Sequence, residues 1–245
     1  MSNQIPSLGA VVRKISNYLK IKQKFDAIHT KLTDNGRFSC NWSDRLLIFG
    51  EDTATTSFDT HYVYHTSWAA RILAQSQPNL HIDISSDLRF VTLVSAFVPI
   101  DFYDYRPVDM ALSGLSSKQG DLMSLPFSDS SVSSISCMHV IEHIGLERYG
   151  DPLDPRGDIK AINELKRVLK PGGQLFFVVP VGGSARIQYN AHRIYTFDMI
   201  SSLFADLILD KFALVTDDGK YIEHSSKSQA DLQKYGCGCW LFKKE

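Results

Sequence analysis

The sequence is short of cysteine, of net charge and of long apolar runs, and each shortage closes off a class of function. Four cysteines in 245 residues, Cys40, Cys137, Cys237 and Cys239, do not make a disulfide framework. Stability must come from a buried core, and a reducing compartment, the cytoplasm, is the expected setting. Lys and Arg number 26 against 27 Asp and Glu, for a net charge of −1, and no basic cluster stands out. A nucleic-acid partner would call for a positive footprint, so none is expected, while small polar ligands stay open. The most apolar window, Val91 to Phe102, is short and bounded by charge at Arg89 and Asp101. It falls well below the roughly 18 uncharged apolar residues of a membrane span, so no membrane partner is expected. The opening MSNQIPSLGAVVRK lacks the charged region and apolar stretch of a secretory signal.

Metal ligands are also scarce in the usual spacings. Cys237-Gly238-Cys239 suggests metal or redox chemistry, yet no second Cys/His pair stands at finger-like distance from it. The two thiols read as half-buried residues of a terminal strand. Asp151, Asp154 and Asp158 sit among Pro152, Pro155 and Gly157 and read as turn residues rather than a cation site. No metal is expected.

What is present is a chain 44% hydrophobic, enough for one medium domain with a small appendage. Leu8, Val11, Val12, Ile15, Leu19, Phe25, Ile28 and Leu32 recur at three- and four-residue steps and predict a first helix. Residues 33–60 are rich in Asp, Ser, Thr and Gly and read as loop with one or two short strands. A second helix is predicted from Thr66 to Gln75, ahead of Pro78. Residues 1–79 thus form an N-terminal extension and residues 80–245 an α/β domain.

From His81 onward, strands alternate with helices. Leu80–Ile84, Ile100–Tyr105, a short segment before Asp121, Val132–His139 and Leu175–Val179 read as successive strands. Leu88–Phe97 and a segment opened by Asp158 read as helices between them. In the latter, Ile159, Ile162, Leu165 and Leu169 line one face, Lys160 and Glu164 are paired, and Pro171-Gly172-Gly173 stops the helix. Thr196–Ala205 gives another helix, and Phe212–Val215 and Cys239–Phe242 two late strands. Continuous apolar strands between amphipathic helices predict a doubly wound, mostly parallel, seven-stranded sheet covered on both faces.

Ligands of such sheets bind beyond the carboxyl ends of the strands. The residues found there are Asp83 and Ser85 after the first strand, Asp104 about 20 residues on after the second, Asp121 and Leu122 after the third, and Met138, His139, Glu142 and His143 after the fourth. An acidic residue at the distance of Asp104 suits ribose hydroxyls, and Asp121 with a backbone N–H suits an adenine edge. Asn190, His192, Arg193 and Tyr195 follow the fifth strand, on the side where a polar acceptor would enter.

The stretches Gly120-Asp121-Leu122-Met123-Ser124-Leu125-Pro126-Phe127, Met138-His139-Val140-Ile141-Glu142-His143 and Glu164-Leu165-Lys166-Arg167-Val168-Leu169-Lys170-Pro171-Gly172-Gly173 resemble class I methyltransferases. The likeness spans about residues 80–245. Residues 148–158 and 190–195 resemble, more narrowly, a methyltransferase-like group of unknown function. The resemblance implies S-adenosylmethionine as cofactor, with Asp83 and Ser85 toward its methionine part, Asp104 on the ribose, Asp121 and Leu122 on the adenine, and Met138 near the sulfonium. It implies transfer of a methyl group in line from sulfonium to the oxygen of a small or carbohydrate-like acceptor. His139 or His192 would assist deprotonation, and Glu142, His143, Asn190, Arg193 and Tyr195 would hold the acceptor.

One departure is plain. The family's glycine-rich turn after the first strand is here Ser85-Ser86-Asp87-Leu88-Arg89, and no glycine occurs between Asp83 and Gly114. A missing Cβ is what lets backbone approach a cofactor closely. The alternative to an enzyme is therefore a domain that has lost its cofactor and serves as a binding or scaffolding module.

Overall fold

A computed structural model describes residues 8–33 and 37–245. Its contacts divide the chain into two compact units, parting between Ser57 and Phe58. In the first unit the predicted helix forms as α1 (Leu8–Thr33). Trp42 opens a single 3-10 turn, Trp42–Asp44, and sets its ring 5.1 Å from Phe25 and 5.9 Å from Tyr18. The short strands expected between residues 33 and 60 are not formed among the described residues, and Leu46 and Ile48 there are exposed.

The second unit begins with α2 (Thr60–Ser76), six residues earlier than predicted. Asp59 caps it, its carboxylate accepting from the Tyr62 N–H at 3.1 Å. His65, Trp68, Ala69, Ile72 and Leu73 form its buried stripe at helical spacing. The boundary drawn from composition, 79/80, lies inside this unit, just past α2.

Strands β1 (His81–Ile84), β2 (Ile100–Asp104), β3 (Leu115–Gln119), β4 (Val132–Met138) and β5 (Leu169–Val181) lie in the order β3-β2-β1-β4-β5 and run parallel. The helices α3 (Leu88–Val94) and α4 (Gly157–Val168) make crossovers between them. After β5 come a separate hairpin of β6 (Arg186–Gln188) and β7 (His192–Ile194), then α5 (Phe197–Leu203), β8 (Ile208–Val215), β9 (Tyr221–Ile222), α6 (Lys227–Asp231) and β10 (Gly236–Lys243). Strand β10 slots between β5 and β8, antiparallel to both. The sheet thus holds the seven expected strands and an eighth, two-residue strand, β9, on its edge.

Alternation along the strands feeds two cores. Phe177, Val179 and Trp240 pack with Ile162 and Leu165 of α4 on one face. Phe176, Val178 and Leu241 pack with Trp68 of α2 and Phe90 of α3 on the other. The α4 segment departs from its sequence reading in three ways. Arg156, not Asp158, occupies the cap position; buried Asp158 instead accepts from the Tyr195 hydroxyl at 2.9 Å. Lys160 pairs with Asp154 at 2.6 Å and Glu164 with Arg167 at 2.7 Å, because each finds a nearer partner than the other. Pro171-Gly172-Gly173 lies within β5, where the β4 register shifts, rather than ending the helix. No helix among the described residues is long and apolar enough to cross a membrane.

Candidate functional site

The strand order reverses direction of travel between β1 and β4, and there the strand ends part. A cavity of about 290 Å³ opens at this point, lined by Ser85, Asp104, Asp121, Leu122, His139 and His143, together with Tyr149 and neighbouring loop residues. Six residues singled out from the sequence therefore meet in one place. Asp104 uses Oδ1 to accept from the Arg106 N–H at 2.7 Å, and Asp121 uses Oδ1 to accept from the Met123 N–H at 2.8 Å. In each case the second carboxylate oxygen has no hydrogen-bond partner among the described residues. Leu122, Val140 and Ile144 supply apolar surface.

The turn after β1 does without glycine by putting a serine in a glycine conformation. Ser85 has φ 53°, in the left-handed region that costs an L-residue roughly 1–2 kcal/mol. Its N–H and its hydroxyl both donate to the Tyr103 carbonyl, at 2.8 and 3.2 Å, which holds the strained residue in place. Ser86 pins the turn to β4, its Oγ accepting from the Met138 N–H at 3.2 Å. Asp87 caps α3 through the Arg89 N–H at 2.8 Å, and the Arg89 guanidinium folds back onto the same carboxylate at 2.9 and 3.1 Å. Burial pushes the Asp87 carboxyl up, but these hydrogen bonds outweigh it and hold the group below its ordinary range.

Asp83 and Met138 do not line the cavity. Asp83 is wholly buried beneath it, accepting from the Ser136 hydroxyl and from the Ser86 N–H at 3.0 Å. Burial raises its carboxyl to about 6 despite those bonds. His81 sits on the same network, its Nε2 2.8 Å from Ser136 Oγ and its Nδ1 2.7 Å from Ser134 Oγ, and burial lowers it to about 3. Met138 is buried in the core beside Phe176 and Val178.

His139 directly follows β4 with φ 57° and, like Ser85, is a non-glycine residue in the left-handed region. Its Nδ1 lies 2.7 Å from Glu142 Oε1 and its Nε2 3.3 Å from Cys237 Sγ, so both ring nitrogens are engaged. Burial lowers His139 to about 4 and raises Glu142 to about 7, favouring the neutral form of each. One proton held between them satisfies both. His143 Nδ1 lies 2.8 Å from the Ala191 carbonyl oxygen, with the Arg148 guanidinium beside it at 3.0 Å.

The residues expected after β5 scatter. His192 lies on β7 outside the cavity, its ring stacked on Tyr235 at 5.0 Å and its Nε2 2.8 Å from Gln188 Oε1. Arg193 turns inward and donates to the Ile144 carbonyl at 2.7 Å; its guanidinium also approaches Asp158 at 3.6 Å. Tyr195 is buried on the same Asp158. Asn190 is exposed in the β6–β7 turn. Arg193 and Tyr195 thus tie the hairpin to Ile144 and to Asp158 of α4.

Comparison with known proteins agrees with the fold. A family described as "Caenorhabditis protein of unknown function, DUF268" matches residues 127–235. No curated protein matches. Among solved structures, the N-methyltransferase NodS from Bradyrhizobium japonicum WM9, in complex with S-adenosyl-L-homocysteine, superposes with a TM-score of 0.51 at 14% identity, over 79% of this chain and 89% of that one. The [4+2]-cyclase SpnF superposes with a TM-score of 0.56 at 16% identity, over 91% of this chain and 95% of that one. The chain has a class I methyltransferase fold.

Within this methyltransferase fold, sequence reasoning overlooked one group of residues. His61 and Tyr62 of α2 stack near-parallel to the His139 ring, at 5.9 and 5.4 Å, and His65 meets it edge-on at 5.0 Å. Tyr235 closes over His61 at 5.0 Å. Cys237 and Cys239 are fully buried rather than half-buried, their sulfurs 3.9 Å apart. The i, i+4 spacing of His61 and His65 was the available signal, masked because the helix was started too late.

Proposed function

We propose that the second unit is an S-adenosylmethionine-dependent methyltransferase domain whose cavity at the β1–β4 parting holds the nucleoside half of the cofactor. The observation that carries this reading is the pairing of Asp104 and Asp121 at the ends of adjacent strands, each with one carboxylate oxygen left over, in a cavity otherwise walled by Leu122, Val140 and Ile144. The residues fit a nucleoside: Asp104 can accept from ribose hydroxyls, Asp121 can accept from an adenine amine, and the apolar wall suits a base. The Ser85 backbone holds the shape a glycine would give, so the turn stays open without one.

Bound there, S-adenosylmethionine would supply an electrophilic methyl group on sulfur. The chain's own contribution is positioning and a place for one proton. The His139–Glu142 pair at the cavity edge shares a proton and can give or take it as an acceptor binds. The acceptor we favour is a small or carbohydrate-like hydroxyl compound, which His143, Tyr149 and Asp151 could hydrogen-bond at the mouth. His192, its ring 6.1 Å from that of His143, could assist from the β7 side.

Titration calorimetry with S-adenosylmethionine and S-adenosylhomocysteine tests the reading. Micromolar binding is expected, with Asp104→Ala and Asp121→Ala each weakening it about 10- to 100-fold, the loss of one or two charged hydrogen bonds. Absence of heat and of any thermal shift at millimolar ligand would support the other reading, a fold kept as a binding module. Ser85 and Ser86 in place of glycine are what favour that second reading, and a fold alone does not fix a function.

A further inference from the structure

His139 meets Glu142 through one ring nitrogen, and its other ring nitrogen faces Cys237. We propose that His61, His139 and Cys237 form a binding site for a transition-metal ion of the zinc type. One ligand atom from each residue can be chosen so that all lie within 4.8 Å of one another. His139 Nε2 and Cys237 Sγ are already 3.3 Å apart. Tetrahedral zinc, with bonds of about 2.0–2.1 Å to nitrogen and 2.3 Å to sulfur, sets such atoms about 3.6 Å apart. Side-chain rotation of about 1 Å closes the rest.

The surroundings are those of a ligand set. His139 turns its Nδ1 to a buried carboxylate, Glu142, at 2.7 Å, which fixes the ring with Nε2 toward Cys237 Sγ, a contact that an ion would replace. This carboxylate–histidine pairing is the usual outer support of a metal-bound imidazole. The second Glu142 oxygen, Oε2, is buried with no hydrogen-bond partner among the described residues, and so is His65 Nε2 on the ring 5.0 Å from His139. Buried polar atoms are rarely left so, and both of these belong to residues that contact His139.

The donors define the ion. Two imidazoles and a thiolate suit zinc, cobalt or nickel and not magnesium or calcium, which take oxygen. Binding replaces the Cys237 S–H bond by a sulfur–metal bond and releases one proton to solvent, with no change of oxidation state. Three protein ligands leave a fourth position open for water or a bound molecule, the arrangement of catalytic rather than structural zinc. The three ligands come from α2, the β4 end and β10, so the sequence offers no spacing motif, and the expectation of no metal came from looking for one. The site shares His139 with the neighbouring cavity, and metal binding is read without any cofactor present.

Cobalt(II) titration of the reduced, chelator-treated full chain provides the test. One ion per chain at micromolar concentration is expected, with a thiolate-to-cobalt charge-transfer band and the intense ligand-field bands of tetrahedral geometry. Zinc should displace the cobalt, and millimolar magnesium should not. Cys237→Ser should abolish the charge-transfer band, and His61→Ala, on a partly exposed helix face, should weaken binding at least 10-fold. Glu142→Gln should lower affinity 10- to 100-fold with the band retained, whereas Cys40→Ser in the other unit should change nothing. No band with a folded protein, or a band that survives both Cys237→Ser and His61→Ala, overturns the site. Because the readout is optical, failure here and failure of cofactor binding are separately visible.

Discussion

Burial gives Asp83 a pH dependence that can be measured. Its carboxyl, raised to about 6 by burial against an ordinary 3.8, is worse off ionised in the folded chain than in the unfolded one. The favourable contribution of the neutral acid is therefore complete below pH 3.8 and is lost as pH rises through 6. His81 runs the other way: lowered to about 3 from 6.5, it contributes fully above pH 6.5 and loses that as pH falls toward 3. Asp83→Asn should match the native chain near pH 4 and exceed it above pH 6 by up to about 3 kcal/mol, which paired denaturation curves across that range would measure. Ser85 supports a second residue-scale expectation. Ser85→Gly should leave stability within about 1 kcal/mol, since relieved strain offsets a lost hydrogen bond, whereas Ser85→Val, β-branched at φ 53°, should lose about 2 kcal/mol in urea unfolding.

Among the elements, the loop carrying Asp121 and Leu122 owes its position to α4. Arg167 donates to Glu164 at 2.7 Å through both Nε and Nη2, to Asp129 at 2.8 Å, and to the Phe127 and Leu125 carbonyls at 2.7 and 3.1 Å. Glu164 completes the clamp by accepting from the Leu125 N–H at 2.8 Å. Arg167→Ala should lower stability and speed amide exchange through residues 121–129, and lysine should not rescue it because it lacks the planar fork. The same scale shows what periodicity can and cannot disclose. The apolar runs of β1, β4 and β5 and the stripe of α4 are local signals, and they were legible. The start of α2 was not, because His61-Tyr62-Val63-Tyr64 has weak helix propensity and forms a helix through the Asp59 cap and burial against the sheet. The β6–β7 hairpin was missed for a related reason: its strands are three residues each, too short for an alternation to mark them.

At the scale of the whole molecule, the ordered motifs after Gly120 disclosed the sheet and half of the cavity, since each residue there follows its strand directly. They could not disclose the His61–His139–Cys237 grouping, whose members are joined only by the packing of α2 and β10 on the sheet. That packing also decides where the second unit begins. Residues 58–245 alone should unfold cooperatively, with the cavity ligand affinity of the full chain. A chain beginning at residue 80 should aggregate, because removing α2 uncovers Phe176 and Val178 where Trp68 and Leu73 had packed. Thermal melting and size-exclusion chromatography of the two fragments would decide the point.

The position of β10 has a bearing on how the molecule is made. It is the last strand of the sheet to leave the ribosome, yet it belongs between β5 and β8, both synthesised earlier. Until it arrives, β5 and β8 must wait with unpaired edges, exposed to chaperones or to each other. The strand that ends this waiting also carries Cys237 to His139. Completion of the sheet and assembly of the histidine–cysteine cluster are then a single event, and a nascent chain stalled short of β10 would hold neither.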